Sequence, residues 1–84
     1  MRYKIWRGNM VKSLSDLQAG ETCTVTEINT VPRYTARLRD FGIVQGVTLI
    51  CRYYSPGRHL MAIECGGAVI ALRRTDTIPI LVKN

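Results

Sequence analysis

The chain has 84 residues and a formal net charge of +6, with twelve Lys and Arg against six Asp and Glu. A chain of this length forms one small domain, which leaves no room for a second catalytic lobe. Its apolar runs are far shorter than the roughly 20 residues that span a bilayer, and its start lacks the apolar core of a signal peptide, so we expect a cytoplasmic protein. The positive charge favours polyanions or acidic protein surfaces as partners.

The first residues mix basic and aromatic side chains, and the sequence permits either a loose arm or a short added strand. We predict an N-terminal arm at residues 1–12 and a folded domain at residues 13–84. The domain begins with "SLSDLQAGE", in which Ser15 is expected to cap one turn, the two leucines to point inward and Gly20 to form the bend. The following "TCTVTEI" predicts a strand, because Cys23 and Val25 alternate with threonines.

The segment "TVPRYTARLRDFG" predicts a short helix that begins at Pro32 and stops at Phe41. Proline is tolerated in the first turn of a helix, where its missing N–H has no partner to lose. One apolar stripe follows the helical spacing: Tyr34, Leu38 and Phe41. Gly42 then stands where the chain turns left-handed. Ile43 lies five residues past Leu38, which is the spacing of the apolar contact in a Schellman ending.

Four more strands are expected after the helix. Gly46 provides the turn before the first, which carries two alternating sets: Val47, Leu49, Cys51 and Tyr53 against Thr48, Ile50, Arg52 and Tyr54. The loop "YSPGR" turns at Gly57, and Gly66 and Gly67 form a two-residue hairpin turn between the next two strands. The last strand, "TIPILV", places three aliphatic residues on one face, namely Ile78, Ile80 and Val82. Its Pro79 indicates an edge or an end of the sheet.

Five short strands and one short helix in this order predict a mainly β protein. A sheet this small must curl to cover its own core, so we expect a small β-barrel. Six glycines are assigned to its turns and to the end of its helix: Gly20, Gly42, Gly46, Gly57, Gly66 and Gly67.

The chemistry-bearing residues are few. Cys23, Cys51 and Cys65 have no paired spacing, so we predict reduced thiols in the core rather than a disulfide framework. Cys51 and Cys65 near His59 are the only arrangement that resembles a metal site, and without a short ligand spacing we predict no metal and no cofactor. His59 is also the only histidine. Since no nucleophile and base are paired, we predict that the protein is not an enzyme.

Several motifs together resemble the FeoA family. They are "LSDLQAGE", the helix ending "RLRDFGIVQGVTL", a "PG" loop, "GGAVIALRR" and a closing "IPILV". The resemblance runs from about Leu14 to Val82. Gln45 stands where the family often has proline, and Gly46 still supplies the turn. The segment from Arg2 to Arg7 lies outside the resemblance.

This resemblance implies an SH3-like barrel in a bacterial protein that assists ferrous iron uptake. The implied partner is FeoB, the membrane ferrous iron transporter with a cytosolic GTP-binding domain, which would recruit the protein to the inner face of the membrane. Similar barrels also occur fused to DNA-binding domains in metal-dependent repressors. This chain has no helix-turn-helix segment and therefore looks like the free-standing form.

The helix offers a candidate binding face beside its apolar stripe. Arg33, Arg37 and Asp40 share this face at helical spacing. One interpretation is an ordinary solvated basic surface. The sharper hypothesis is a surface that meets an acidic patch on the transporter, either on the GTP-binding domain or on the membrane part. Its predicted residues are Arg33, Arg37, Tyr54 and Arg58.

The alternative function is binding of RNA or DNA, which basic barrels achieve with cationic grooves and stacked aromatic residues. Arg52, Tyr53 and Tyr54 favour this alternative. Against it, strand alternation sends the two tyrosines to opposite faces.

Salt dependence separates the two functions. We expect the protein to bind a short oligonucleotide at low salt and to lose this affinity at physiological salt, because attraction by charge alone is screened. Fluorescence anisotropy with a labelled oligonucleotide measures both conditions. Affinity that persists at physiological salt would favour the nucleic-acid function.

Overall fold

Seven antiparallel strands and one helix make up the fold in the computed structural model, which describes residues 4–6 and 9–84. The strands are β1 (Lys4–Trp6), β2 (Asn9–Ser13), β3 (Thr22–Ile28), β4 (Thr48–Tyr54), β5 (Leu60–Cys65), β6 (Ala68–Arg73) and β7 (Ile80–Lys83). The helix, α1, spans Pro32–Asp40. Three short 3-10 turns cover Leu14–Asp16, Pro56–Arg58 and Arg74–Thr77.

The strands form one sheet in the order β1-β2-β7-β3-β4-β5-β6. The sheet curls around the core without closing, as in an SH3-like domain, which confirms the predicted fold class. β1 and β2 are strands beyond the five that we predicted, and β2 pairs with β7 through Val11 and Lys83. The N-terminal segment therefore contains added strands. Tyr3 and Arg7 of the predicted arm lie outside the described residues, and the boundary after residue 12 stays a prediction.

The position predicted for the last strand was wrong. β7 pairs with β2 on one side and with β3 on the other, so it lies inside the sheet. Pro79 precedes the strand, so its missing N–H lies outside the strand and is tolerated there. Its carbonyl still accepts a hydrogen bond from the amide of Asn29 at 3.0 Å. Ile80 and Val82 are buried as expected, whereas Ile78 ends a 3-10 turn and is 52% exposed.

The first turn is capped differently from the prediction. Ser13, not Ser15, is the capping residue, and its hydroxyl accepts a hydrogen bond from the Ser15 amide at 3.1 Å. Ser15 is itself buried, with its hydroxyl 2.7 Å from that of Ser13. Leu14 and Leu17 are fully buried, as their spacing predicted.

The helix ends in the Schellman motif that the sequence predicted. The amide of Gly42 donates to the carbonyl of Arg39, and the amide of Ile43 donates to the carbonyl of Leu38, both at 2.9 Å. Gly42 adopts a φ of 84°, which allows the chain to reverse. Leu38 and Ile43 are both fully buried, so this ending joins the helix to the core.

The core is a single cluster of aliphatic, thiol and methionine side chains from the strands, the first turn and the helix end. All three cysteines are free and lie in this cluster, as predicted. Burial raises the pKa of the Cys23 thiol to about 12, so this thiol stays protonated and acts as a small apolar residue.

A β-bulge interrupts the alternation that we predicted for β4. Cys51 pairs with Ile63, but the next pairing joins Tyr53 with Ala62, so the register shifts at Arg52. As a result Tyr53 is 61% exposed rather than facing inward with Cys51, while Tyr54 packs against the core.

The glycine turns follow the sequence. All six predicted glycines have a positive φ: Gly20, Gly42, Gly46, Gly57, Gly66 and Gly67. The last two connect β5 to β6 as a two-residue hairpin, in which Cys65 pairs with Ala68.

Replacing Gly42 with alanine tests the helix ending. An added Cβ would lie 3.7 Å from the Cys65 sulfur, which is ordinary contact, so the cost comes from the left-handed backbone. We expect Gly42→Ala to lower the free energy of unfolding by about 1–2 kcal/mol, measured by chemical denaturation. Gly42→Asn is the matched control and should lower the free energy of unfolding by less, because asparagine tolerates this conformation. Equal losses for both variants would contradict this explanation.

Candidate functional site

A surface cleft lies where α1 faces the end of β6. We call it the helix–strand cleft, and its volume is about 440 Å³. Its lining combines aromatic, aliphatic and charged side chains: Tyr34, Arg37, Phe41, Ala71, Leu72, Arg73 and Asp76.

The helix places three of these side chains together. At 3.6 residues per turn, Tyr34, Arg37 and Phe41 all project to the same side of the buried Leu38. The predicted apolar stripe is buried only in part: Leu38 is fully buried and Tyr34 packs against the core, whereas Phe41 is 44% exposed. Ile43, which follows the Schellman turn, supplies the buried side chain instead.

The charges of the cleft influence one another. The pKa of Tyr34 is raised, first by burial and then by the negative charge of Asp76, while the Arg37 guanidinium opposes the shift. Two arginines and one carboxylate line the cleft, so its charge is positive.

A second depression lies beside the Pro56–Arg58 turn. We call it the loop pocket; its volume is about 400 Å³. Its lining is Gly57, Arg58, His59, Leu60, Arg73, Arg74 and Thr75. Arg73 lines both depressions, so the helix–strand cleft and the loop pocket form one continuous basic surface.

Tyr54 supports the loop pocket from below. The bulge in β4 turns its side chain inward, where its hydroxyl donates to the carbonyl of Leu17 and lies 3.4 Å from that of Ser15. The guanidinium carbon of Arg58 lies 3.9 Å from the centre of the Tyr54 ring, a cation–π contact. Burial raises the pKa of Tyr54, which keeps the hydroxyl a donor.

Arg74 connects the loop pocket to the first turn. Its Nε donates to the carbonyl of Ser15 at 3.0 Å, and its amide donates to the carbonyl of His59 at 2.8 Å. The same carbonyl of Ser15 thus lies within reach of both Tyr54 and Arg74.

The structure brings together part of the predicted binding surface. Tyr54 and Arg58 are in contact, and Arg37 reaches the adjoining cleft. Arg33 is exposed and is not among the residues that line either depression.

Sequence reasoning missed Arg73, Arg74 and Asp76 as members of this surface. A signal for Arg73 was present in the two-residue Gly66-Gly67 turn. Because that turn fixes the hairpin register, counting back from it pairs Arg73 with Leu60, next to the loop. No feature of the sequence predicted the β-bulge that turns the side chain of Tyr54 inward.

The arrangement of His59 with two cysteines does not form. His59 precedes β5 and Cys65 is the last residue of that strand, so they lie at its opposite ends, and the Cys65 sulfur lies 3.6 Å from the carbonyl of Gly42. In the part of the chain that the structure describes, no three His, Cys, Asp or Glu residues come together as a metal site would require.

Comparison with known proteins identifies the family, since residues 12–84 match the family model of the FeoA domain. The chain belongs to the FeoA family, as its motifs suggested. A FeoA protein from Chlorobium tepidum, solved by NMR, is 31% identical, with a TM-score of 0.80 over 84% of this chain and 68% of the other. No curated protein matches the chain significantly.

Two further solved structures share the fold of this FeoA domain. An iron uptake regulatory protein (FeoA) is 22% identical, with a TM-score of 0.78 over 88% of this chain and 97% of its own. A manganese-dependent transcriptional repressor is 19% identical, with a TM-score of 0.79 over 88% of this chain and only 41% of its own.

FeoA domains form a family of small non-enzymatic accessory domains associated with iron transport. Among the described residues of this one, no helix is long and apolar enough to cross a membrane.

The tyrosine pair on β4 offers a test of how this FeoA domain builds its site. We expect Tyr54→Phe to lower the free energy of unfolding by about 0.5–1.5 kcal/mol, because it removes the donor to the Leu17 carbonyl and keeps the ring under Arg58. Tyr53→Phe is the matched control, since that side chain is mostly exposed, and should change stability by less than about 0.5 kcal/mol. Thermal and chemical denaturation of the two variants make the comparison. Equal stabilities would refute the bracing role of the hydroxyl.

Proposed function

We propose that this FeoA domain is a non-catalytic accessory protein of bacterial ferrous iron uptake that binds the cytosolic part of a FeoB-type transporter through the helix–strand cleft. Membership of the FeoA family supports the role in iron transport, and the cleft is the surface that we propose for binding the transporter. In this proposal the protein works at the inner face of the membrane, next to its transporter. It alters the transporter by binding and carries out no reaction itself.

The composition of the cleft is the observation that carries the proposal. The cleft is lined by Phe41, whose side chain is 44% exposed, and by the two arginines Arg37 and Arg73. Protein interfaces are enriched in aromatic residues and arginine, and their energy concentrates in such anchors. Asp76 is the one carboxylate in the lining beside two arginines, so the cleft keeps a net positive charge and the complementary surface is acidic with an apolar centre.

The neighbouring arginines on α1 allow a controlled experiment. We expect Arg37→Glu to weaken binding to the isolated cytosolic GTP-binding domain of the transporter by about tenfold at physiological salt, because it reverses a charge at the interface. Arg33→Glu changes the net charge equally but lies outside the cleft, so its affinity should stay close to that of the wild type. Isothermal titration calorimetry measures all three proteins. The proposed binding surface is therefore smaller than the one predicted from sequence, because it leaves out Arg33.

Three results would separate the possible interpretations. The cleft is supported if Arg37→Glu and Phe41→Ala both lower the affinity while Arg33→Glu does not. If Arg33→Glu and Arg37→Glu lower the affinity equally, the partner is attracted by the net charge and not by a defined surface. No binding by the wild type would exclude the GTP-binding domain and direct the search to the membrane part. Melting temperatures should match the wild type for the charge variants, since Arg33 and Arg37 are both exposed.

A further inference from the structure

The loop pocket gathers three arginines without an acidic neighbour in its lining. Arg58, Arg73 and Arg74 surround it together with His59, and the other lining residues are uncharged. Arg58 and Arg73 form no ion pair with any described residue, whereas Arg52, on the same sheet, pairs with Glu64 at 3.4 Å. The pocket is therefore a concentration of uncompensated positive charge.

Arg58 is held in an unusual conformation. Its φ is 60°, and it is the one non-glycine residue with a positive φ among those that the structure describes. This backbone conformation costs about 1 kcal/mol or more, and residues that retain it cluster at functional sites. The ring of Tyr54 holds the guanidinium from one side, and the hydroxyl of Tyr54 is in turn bonded to the first turn of the domain. Arg58 is thus positioned before any ligand arrives.

The other two arginines are positioned by the backbone. Arg73 pairs with Leu60 across the hairpin, and the amide of Arg74 donates to the carbonyl of His59. These two contacts join the segment after β6 to the loop before β5. The Nε of Arg74 donates to the carbonyl of Ser15, and its guanidinium also lies beside the hydroxyl of Tyr54, which holds a third positive charge at the pocket.

We propose that the loop pocket binds a diphosphate group, either inorganic pyrophosphate or the diphosphate of a nucleotide. Guanidinium groups match phosphate oxygens in bidentate geometry, and several of them converge here. A diphosphate carries more negative charge and more acceptor oxygens than a single carboxylate, so it compensates three arginines better. The volume, about 400 Å³, lies in the range of small-molecule sites. The proposal concerns a ligand site of this chain alone and does not depend on binding to the transporter.

Amide chemical shifts of the labelled protein provide the test. The probes are pyrophosphate, adenosine diphosphate and citrate, each titrated at physiological ionic strength. We expect saturable shifts at residues 57–60 and 73–75 with both diphosphates and much weaker binding of citrate, a polycarboxylate of comparable charge. Tighter binding of adenosine diphosphate would identify a nucleotide as the source of the diphosphate, and equal affinities would identify the diphosphate alone.

Three glutamine variants make the test specific. Arg58→Gln and Arg73→Gln should each weaken pyrophosphate binding by about tenfold, because each removes a charge-assisted contact. Arg39→Gln removes the same charge from a separate depression, beside Glu27, and should leave the affinity unchanged. Each variant is checked by thermal denaturation for an intact fold. The proposal is overturned by absence of saturable binding, by citrate binding as tightly as pyrophosphate, or by an equal loss with Arg39→Gln.

Discussion

The hydrogen bond from the Ile43 amide to the Leu38 carbonyl sets the orientation of the helix on which the site depends. It closes the helix at the point where two fully buried side chains enter the core, one on each side of the turn. Because Leu38 must face inward, the 3.6-residue period directs Arg37 to one side of the helix and Arg39 to the other. Each arginine consequently lines a different depression. A helix that ended one residue later would present a different set of charges to β6.

Positive charge on this protein is concentrated by the hairpin rather than by any basic run in the sequence. The register of β5 and β6 brings Arg73 beside Leu60, and the amide of Arg74 then ties the end of β6 to the loop. One arginine therefore belongs to both depressions, and a partner held in the cleft and an anion held in the loop pocket would share it. Shared residues of this kind couple two binding events when each ligand changes the position of the common group. The similar fold of a manganese-dependent repressor shows that this barrel also serves proteins of a different class, so the function must be argued from these side chains.

Tyr54 illustrates what is required to hold a charged side chain in place on so small a domain. The bulge at Arg52 reverses the side of the sheet to which Tyr54 points, and the ring then lies partly in the core with its hydroxyl bonded to the first turn. An exposed arginine has many rotamers and loses entropy when it is fixed. The contact between Arg58 and this braced ring reduces that loss. The elements that support the surface are consequently distant in sequence, since they come from the first turn, from β4 and from the loop.

Local sequence determined the helix and its ending, the glycine turns, the two-residue hairpin and the burial of Leu14 and Leu17, because each depends on backbone preferences or spacing within a few residues. The FeoA motifs consist largely of these same glycines and buried apolar residues, so they identify the fold more directly than the site. Only the tertiary structure decided the rest. The bulge in β4, the inner place of β7 and the exposure of Phe41 all depend on pairing between segments far apart in the chain, which no local pattern encodes. Strand pairing fixes which side of the sheet a residue occupies, and a shift of one residue exchanges the buried face for the exposed one.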